Sequence, residues 1–239
     1  MRIVLWDIDG TLVNTGGAGM RALGRAVRAS PGASEALARM RLDGMTDRHI
    51  ARMLCAARQH HRAAVESLEQ IAARVTDAQI DEVLGSYLEA LSTSLHSAKG
   101  YQVLPGVVET LDALGDCVHG LGTGNIEEGA RRKLEHGGLW GRFAFGGFGS
   151  DAEERPAILR AAWRKAEAHL KREIAAGELV VVGDTPKDVA AAHEAGLCCV
   201  AVASGRHQVH ELRQSGADAV LASLAAPEVP GLIRGAARR

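Results

Sequence analysis

A chain of 239 residues can bury enough apolar surface for one large domain or two modest ones, with no need of disulfides or a structural metal. Its 28 Lys and Arg against 29 Asp and Glu give a net charge of -1, so no basic field marks a nucleic acid or an anionic membrane as partner. Aromatic residues at 3% leave little for base stacking, and no apolar run approaches the length of a membrane span.

Ile3-Val4-Leu5-Trp6 is an apolar run that predicts a buried strand. It ends at Asp7-Ile8-Asp9-Gly10, where Gly10 permits a tight turn. Residues i and i+2 of an extended chain point the same way, so Asp7 and Asp9 can reach one site at the strand's C-terminal end. In open α/β sheets that end is where ligands bind.

Gly16, Gly17 and Gly19 form a connector and, with Gly100, candidate hinges. From there to about Ala98 the pattern predicts helices only, over 20–29, 34–40, 47–59, 62–75 and 76–95, with Thr46 and Thr76 as caps. Such a block is too long for a loop. Residues 16–98 are therefore expected to form a helical domain inserted into a core made of 1–15 and 99–239.

Beyond residue 99 the pattern alternates. Helices are predicted over 107–114, 126–135, 156–173, 186–195 and 209–215, and strands over 117–122, 143–148, 179–184, 197–203 and 219–221. A fraying helix is expected at 234–239. The alternation predicts an α/β fold, a parallel sheet with helices on both faces. Cys55, Cys117, Cys198 and Cys199 contain no C-x-x-C pair and read as free thiols. With no leader-like segment ahead of the first strand, the expected location is the cytoplasm.

Three more polar clusters fall at predicted element ends. Thr123-Gly124-Asn125 sits between a strand and a helix, where a hydroxyl and helix N-terminal amides make an anion site, though Thr and Asn also simply cap helices. Arg155-Pro156 opens the long helix, and its guanidinium suits either a phosphate or solvent. Gly183-Asp184-Thr185-Pro186-Lys187-Asp188 puts one carboxylate at a strand tip and a second one turn into the next helix. His60-His61 has no partners at metal-ligand spacing, and Trp140 and Trp163 read as packing residues.

These clusters, in this order, resemble the four motifs of the haloacid dehalogenase-like superfamily of phosphohydrolases. Asp7-Ile8-Asp9-Gly10-Thr11 matches the first, Thr123 the second, Arg155 the third, and Gly183-Asp184 with Asp188 the fourth. The helical insert resembles the cap of the subfamily that contains phosphoglycolate phosphatase and β-phosphoglucomutase. The resemblance implies a Rossmann-like core and cleavage of a small phosphomonoester, such as phosphoglycolate or a sugar phosphate, through an aspartyl phosphate. Asp7 would be the nucleophile and Asp9 the acid and base. Gly10, Thr123, Gly124, Asn125 and Arg155 would hold the phosphoryl group.

Crowded carboxylates beside a phosphate dianion demand a cation, and all-oxygen ligands favour Mg²⁺. Asp7, the backbone carbonyl of Asp9, and Asp184 are the expected ligands, with Asp188 behind them orienting a water or Arg155. The family places a lysine in its third motif, where this chain has Arg155, and Lys165 and Lys171 look too remote to replace it. Thr46, Asp47 and Arg48 match a cap loop that faces the site, or else open a helix. The rival readings are a phosphosugar mutase of the same fold and a non-catalytic metabolite-binding protein. A dehalogenase has no need of Asp9, and a phosphonate-cleaving relative needs a cap lysine, of which residues 1–98 have none.

Overall fold

The computed structural model describes residues 1–60 and 66–237. The chain opens with β1 (Ile3–Trp6) and β2 (Val13–Thr15). Five helices follow: α1 (Ala18–Ala26), α2 (Pro31–Arg39), α3 (Asp47–His60), α4 (Leu68–Ala72) and α5 (Asp77–His96). Next come β3 (Tyr101–Val103), α6 (Val107–Ala113), β4 (Val118–Gly122), α7 (Glu127–His136), β5 (Phe145–Gly147) and α8 (Arg155–Leu170). The chain continues through β6 (Leu179–Gly183), α9 (Pro186–Glu194), β7 (Cys198–Val202), α10 (Val209–Gln214), β8 (Ala219–Leu221) and α11 (Val229–Gly235).

Six strands form one sheet in the order β5-β4-β1-β6-β7-β8, each pairing parallel with its neighbour. β1 is central, with Leu5 opposite Gly120 of β4 on one side and Val181 of β6 on the other. Its four residues are fully buried because both faces are covered. Val4 and Trp6 enter one apolar cluster with Val180, Val182 and Leu111, while Ile3 and Leu5 enter the opposite one with Val181, Leu159 and Val189. The strand order diverges from β1 in both directions, which opens a crevice at its C-terminal end.

Helices α1 to α5 pack around a third cluster that includes Leu23, Leu54, Ile80, Tyr87 and Leu91. The chain enters this helical unit through β2 and leaves it through β3, which pair antiparallel, Val13 opposite Val103. That ribbon replaces the plain glycine connector expected from sequence. Gly16 meets the Gly100 backbone there, where a Cβ on Gly16 would come 2.6 Å from the Gly100 carbonyl carbon, so Gly16 has no room for a side chain.

Three helices differ from expectation. α2 starts at Pro31, where the ring suits the first turn instead of breaking the helix. α4 covers only Leu68–Ala72, because Ser67 and Gln70 close a capping box in front of it, and His61 to Val65 lie outside the described residues. The last helix is Val229–Gly235, opened by Pro230, and Arg238 and Arg239 lie outside the described residues. Among the described residues, no helix is long and apolar enough to cross a membrane.

Candidate active site

Asp7 follows β1 directly, and its N–H still donates to Val182 of β6 (2.9 Å), which carries the ladder one residue past the strand. Gly10 then turns the chain at a φ of 82°. Asp184 sits at the tip of β6, and Asp188 one turn into α9. Carboxylate oxygens of Asp7, Asp184 and Asp188 all lie within 4.8 Å of one another, and all three residues are buried.

Asp184 is clasped between two glycines. A Cβ on Gly10 would come 2.3 Å from its Oδ2, and one on Gly205 1.8 Å. The loop that carries Gly205 is tied to the first turn by the Ser204 hydroxyl, which donates to the Gly10 carbonyl (2.7 Å). Thr11 donates its hydroxyl to Asp184 Oδ1 (3.3 Å). Burial, reinforced by the nearby Asp7 charge, pushes the Asp184 carboxyl up to about 8 against the pull of Arg155 and Thr11.

Arg155, first residue of α8, donates to Asp7 Oδ2 (3.2 Å) and to Asp188 Oδ1. The other Asp188 oxygen accepts the Thr185 N–H (3.0 Å) and hydroxyl (2.7 Å), so this carboxylate is fully occupied. Asp7 Oδ1, by contrast, is a buried oxygen with no hydrogen-bond partner. A candidate donor set made of carboxylate oxygens, one of them orphaned and all three acids crowded, fits a hard divalent cation. Asp7 and Asp184 are the side chains free to hold it, since Asp188 is spent on Arg155 and Thr185.

Asp9 points the other way, toward α7. Asn125 donates to its Oδ2 (2.8 Å), and so does Lys133 (2.6 Å). Asn125 also donates to Thr123 Oγ1 (2.9 Å) and accepts from Lys133 (2.5 Å). Lys133 was not singled out in the sequence. It is the seventh residue of α7, and its approach to Asp9 depends on the lie of that helix across the first turn. The signal was its place on the same helical face as Gly129 and Ala130, all of them buried. Burial alone would favour the neutral amine, but Asp9, Tyr87 and Asp47 overcome it and hold the lysine charged, above its ordinary pKa. Lys165, on the long helix, pairs with Asp151 (2.8 Å) and stands away from the site.

The helical unit closes over these groups. The Asp47 N–H donates to the Gly124 carbonyl (2.8 Å), and its Oδ2 accepts the Ile126 N–H (2.9 Å) at the start of α7. Thr46 donates to the Glu153 carbonyl (2.8 Å) and caps α3 through the His49 N–H (3.2 Å). Arg52 adds an ion pair to Glu153 (2.9 Å). Arg48 takes the second of the two readings open for it and does not face the site. It turns outward to Asp77 (2.6 Å) and Asp81 (2.9 Å) of α5.

The result is a cavity of about 380 Å³ between sheet and helices, within the range of small-molecule sites. Asp7, Asp9, Gly10, Gly124, Asn125 and Arg155 line it, as do Lys133, Asp47 and Asp184. Thr123 is buried just behind this surface, its hydroxyl oxygen accepting from Asn125. His60 takes no part in it, while Trp163 donates to the Ile174 carbonyl (3.0 Å) and Trp140 packs against Phe148.

Residues 4–202 match the family profile of the haloacid dehalogenase-like hydrolases. No curated protein matches the chain. Among solved structures, the chain is similar to a hydrolase from Pseudomonas syringae, at 22% identity and a TM-score of 0.68 over 94% of this chain and 95% of that one. It is similar to a predicted phosphoglycolate phosphatase from Haemophilus somnus, at 21% identity and a TM-score of 0.63 over 94% and 95%. CbbY from Rhodobacter sphaeroides, solved with xylulose-1,5-bisphosphate, aligns at 18% identity and a TM-score of 0.63 over 94% and 95%. At these identities the solved structures show a shared fold.

Proposed function

The chain belongs to the haloacid dehalogenase-like hydrolase family, and on that premise we propose that it is a Mg²⁺-dependent phosphatase that cleaves a small phosphomonoester through an aspartyl phosphate. The observation that carries this reading is the pairing of an orphaned, buried Asp7 oxygen among three crowded carboxylates with a second aspartate, Asp9, in the same cavity.

Asp7 and Asp184, with the backbone carbonyl of Asp9, would hold the metal, which supplies charge neutralisation for the phosphoryl oxygens when bound. An Asp7 carboxylate oxygen attacks phosphorus, and the ester P–O bond breaks. Asp9 gives its proton to the departing alkoxide, so that the alcohol leaves neutral. Lys133 stabilises the carboxylate left on Asp9 once that proton has gone. In the second half, Asp9 takes a proton from water, the water oxygen attacks phosphorus, and the Asp7–phosphorus bond breaks to release inorganic phosphate. Arg155 fixes Asp7 and offsets charge spreading over the phosphoryl oxygens. The Gly124 amide and the Asn125 side chain, with Thr123 behind them accepting the Asn125 N–H, cradle the same oxygens.

The test is phosphate release from a panel of phosphomonoesters, with Mg²⁺ and with chelator, for the wild type and Asp7→Asn. Turnover that needs Mg²⁺ and disappears in Asp7→Asn is expected. Folded protein that hydrolyses no monoester refutes the reading, and isomerised sugar phosphate in place of free phosphate turns it into a mutase.

A further inference from the structure

We propose that the alcohol released at this site carries no negative charge, so that the substrate class is the phosphomonoester of a small neutral alcohol with an apolar side. Phosphorylated carboxylic acids and bisphosphates are then poor substrates. The inference rests on the phosphatase reading and narrows it.

The cavity has two unlike walls. The sheet side holds the aspartates, Arg155 and the amide cradle. The side supplied by the helical unit is built from Met20 and Leu23 of α1, Leu42 and Met45 of the segment before α3, and Ile50 of α3, with the phenol of Tyr87 of α5 as its uncharged polar group. The charged groups of that wall are two carboxylates, Asp43 and Asp47.

Among the described residues, no lysine or arginine of the helical unit lines the cavity. Its nearby arginines are occupied elsewhere. Arg48 faces Asp77 and Asp81, Arg52 faces Glu153, and Arg21 donates to the Gly16 (2.8 Å) and Ser94 (3.3 Å) carbonyls.

Apart from Arg155, two cations among the described residues reach the cavity, both from the sheet domain. Lys133 is buried and committed to Asp9 and Asn125. Arg206 stands at the mouth, its side chain 80% exposed, and faces Asp43 at 3.5 Å. A carboxylate or second phosphate on the leaving alcohol would therefore be desolvated against methionine, leucine and isoleucine, with like charges beside it and, among the described residues, no uncommitted buried cation to receive it.

A neutral hydroxylated alcohol meets the opposite conditions. The five aliphatic and thioether side chains accept its carbon skeleton. Asp47 uses Oδ2 for the Ile126 N–H, which leaves Oδ1 to accept from a substrate hydroxyl. The phosphoryl group itself needs nothing from this wall.

The experiment compares esters matched in size, above all glycerol 3-phosphate with 3-phosphoglycerate, which differ by a terminal hydroxymethyl or carboxylate group. Full-length enzyme with Mg²⁺ is expected to show a kcat/KM at least tenfold higher for the neutral member of each pair. Met20 is 43% exposed, so a charged replacement there is expected to leave the fold intact. Met20→Lys is expected to move the ratio about tenfold toward the acid. Equal or preferred hydrolysis of the acids, alongside normal turnover of other monoesters, overturns the neutral-alcohol inference and leaves the phosphatase reading standing. Hydrolysis of no ester by folded enzyme overturns both.

Discussion

Lys133 Nζ lies 2.6 Å from the Asp9 carboxylate, so the proposed acid and base is held by a cation from α7. Arg155 holds Asp7 from α8 in the same way. Each aspartate of the first motif thus has its own cation, and the two cations come from different helices. Lys133→Met removes the charge at nearly constant length. We expect kcat to fall about 10- to 100-fold, the range of a misplaced proton-transfer group, with a smaller change in KM. Asp9 is half-exposed, so the stability cost stays below that of a fully buried pair, which is about 3–5 kcal/mol. Steady-state kinetics decides it, and an unchanged kcat refutes the role.

Asp184 gives a prediction whose sign depends on the metal. In chelator, its carboxyl is raised to about 8 by burial and by Asp7. A raised folded-state pKa means that its stability contribution is complete below the unfolded value of 3.8 and is lost as pH rises through 8. In chelator at pH 9, Asp184→Asn should therefore melt no lower than the wild type. With Mg²⁺ at 100 times its Kd, the wild type should gain about 2.7 kcal/mol and the variant little. Thermal melts with and without Mg²⁺ measure both effects. An equal Mg²⁺ shift in the two proteins argues against Asp184 as a ligand.

Gly205 tests the same site sterically. A methyl there would stand 1.8 Å from Asp184 Oδ2, and the acid must move. Gly205→Ala should weaken Mg²⁺ activation at least tenfold. Gly24, inside α1, meets nothing within 4 Å of its would-be Cβ. Gly24→Ala should leave activity alone and stabilise by up to ~1 kcal/mol through helix propensity. Mg²⁺ titrations of activity and a denaturant melt separate the two cases.

Much of the sheet was legible because its strands are continuous apolar runs that stop at polar residues, as at Trp6-Asp7 and Gly183-Asp184. Those stops mark Asp7 and Asp184 as strand-end carboxylates, while the strand order that makes β1 and β6 neighbours and so brings them together comes from the structure. Other features depend on contacts that no local pattern carries. β2 and β3 are three residues each and exist only as each other's partner across the helical unit. Lys133 belongs to a helix whose residues are otherwise charged and ordinary, and it becomes special through burial against Asp9 and Tyr87. Of the two readings open for residues 46–48, Arg48 follows the helix opening, although its sequence neighbours Thr46 and Asp47 do face the sheet domain. On a helix the next residue turns by about 100°, which sends it to α5.

Asp47 ties the helical unit to the sheet domain, and its chemistry makes that tie sensitive to pH. Burial pushes its carboxyl up to about 6, against the Lys133 charge and the Ile126 N–H, while Asp9 and Asp7 push the same way as burial. The contribution to stability is complete below the unfolded value of 3.8 and is lost as pH rises through 6, at most about 3 kcal/mol. Asp47→Asn keeps an acceptor for Ile126 and removes the titration. Its melting temperature should match the wild type near pH 4, where the wild-type acid is neutral, and exceed it at pH 8, where the wild type holds a buried charge. The same variant should make the docked arrangement less dependent on pH, measured as amide exchange at Gly124 to Ile126. A variant less stable than the wild type at pH 8 would mean that the Lys133 attraction outweighs burial, and that the charged form of Asp47 is the one that holds the two parts together.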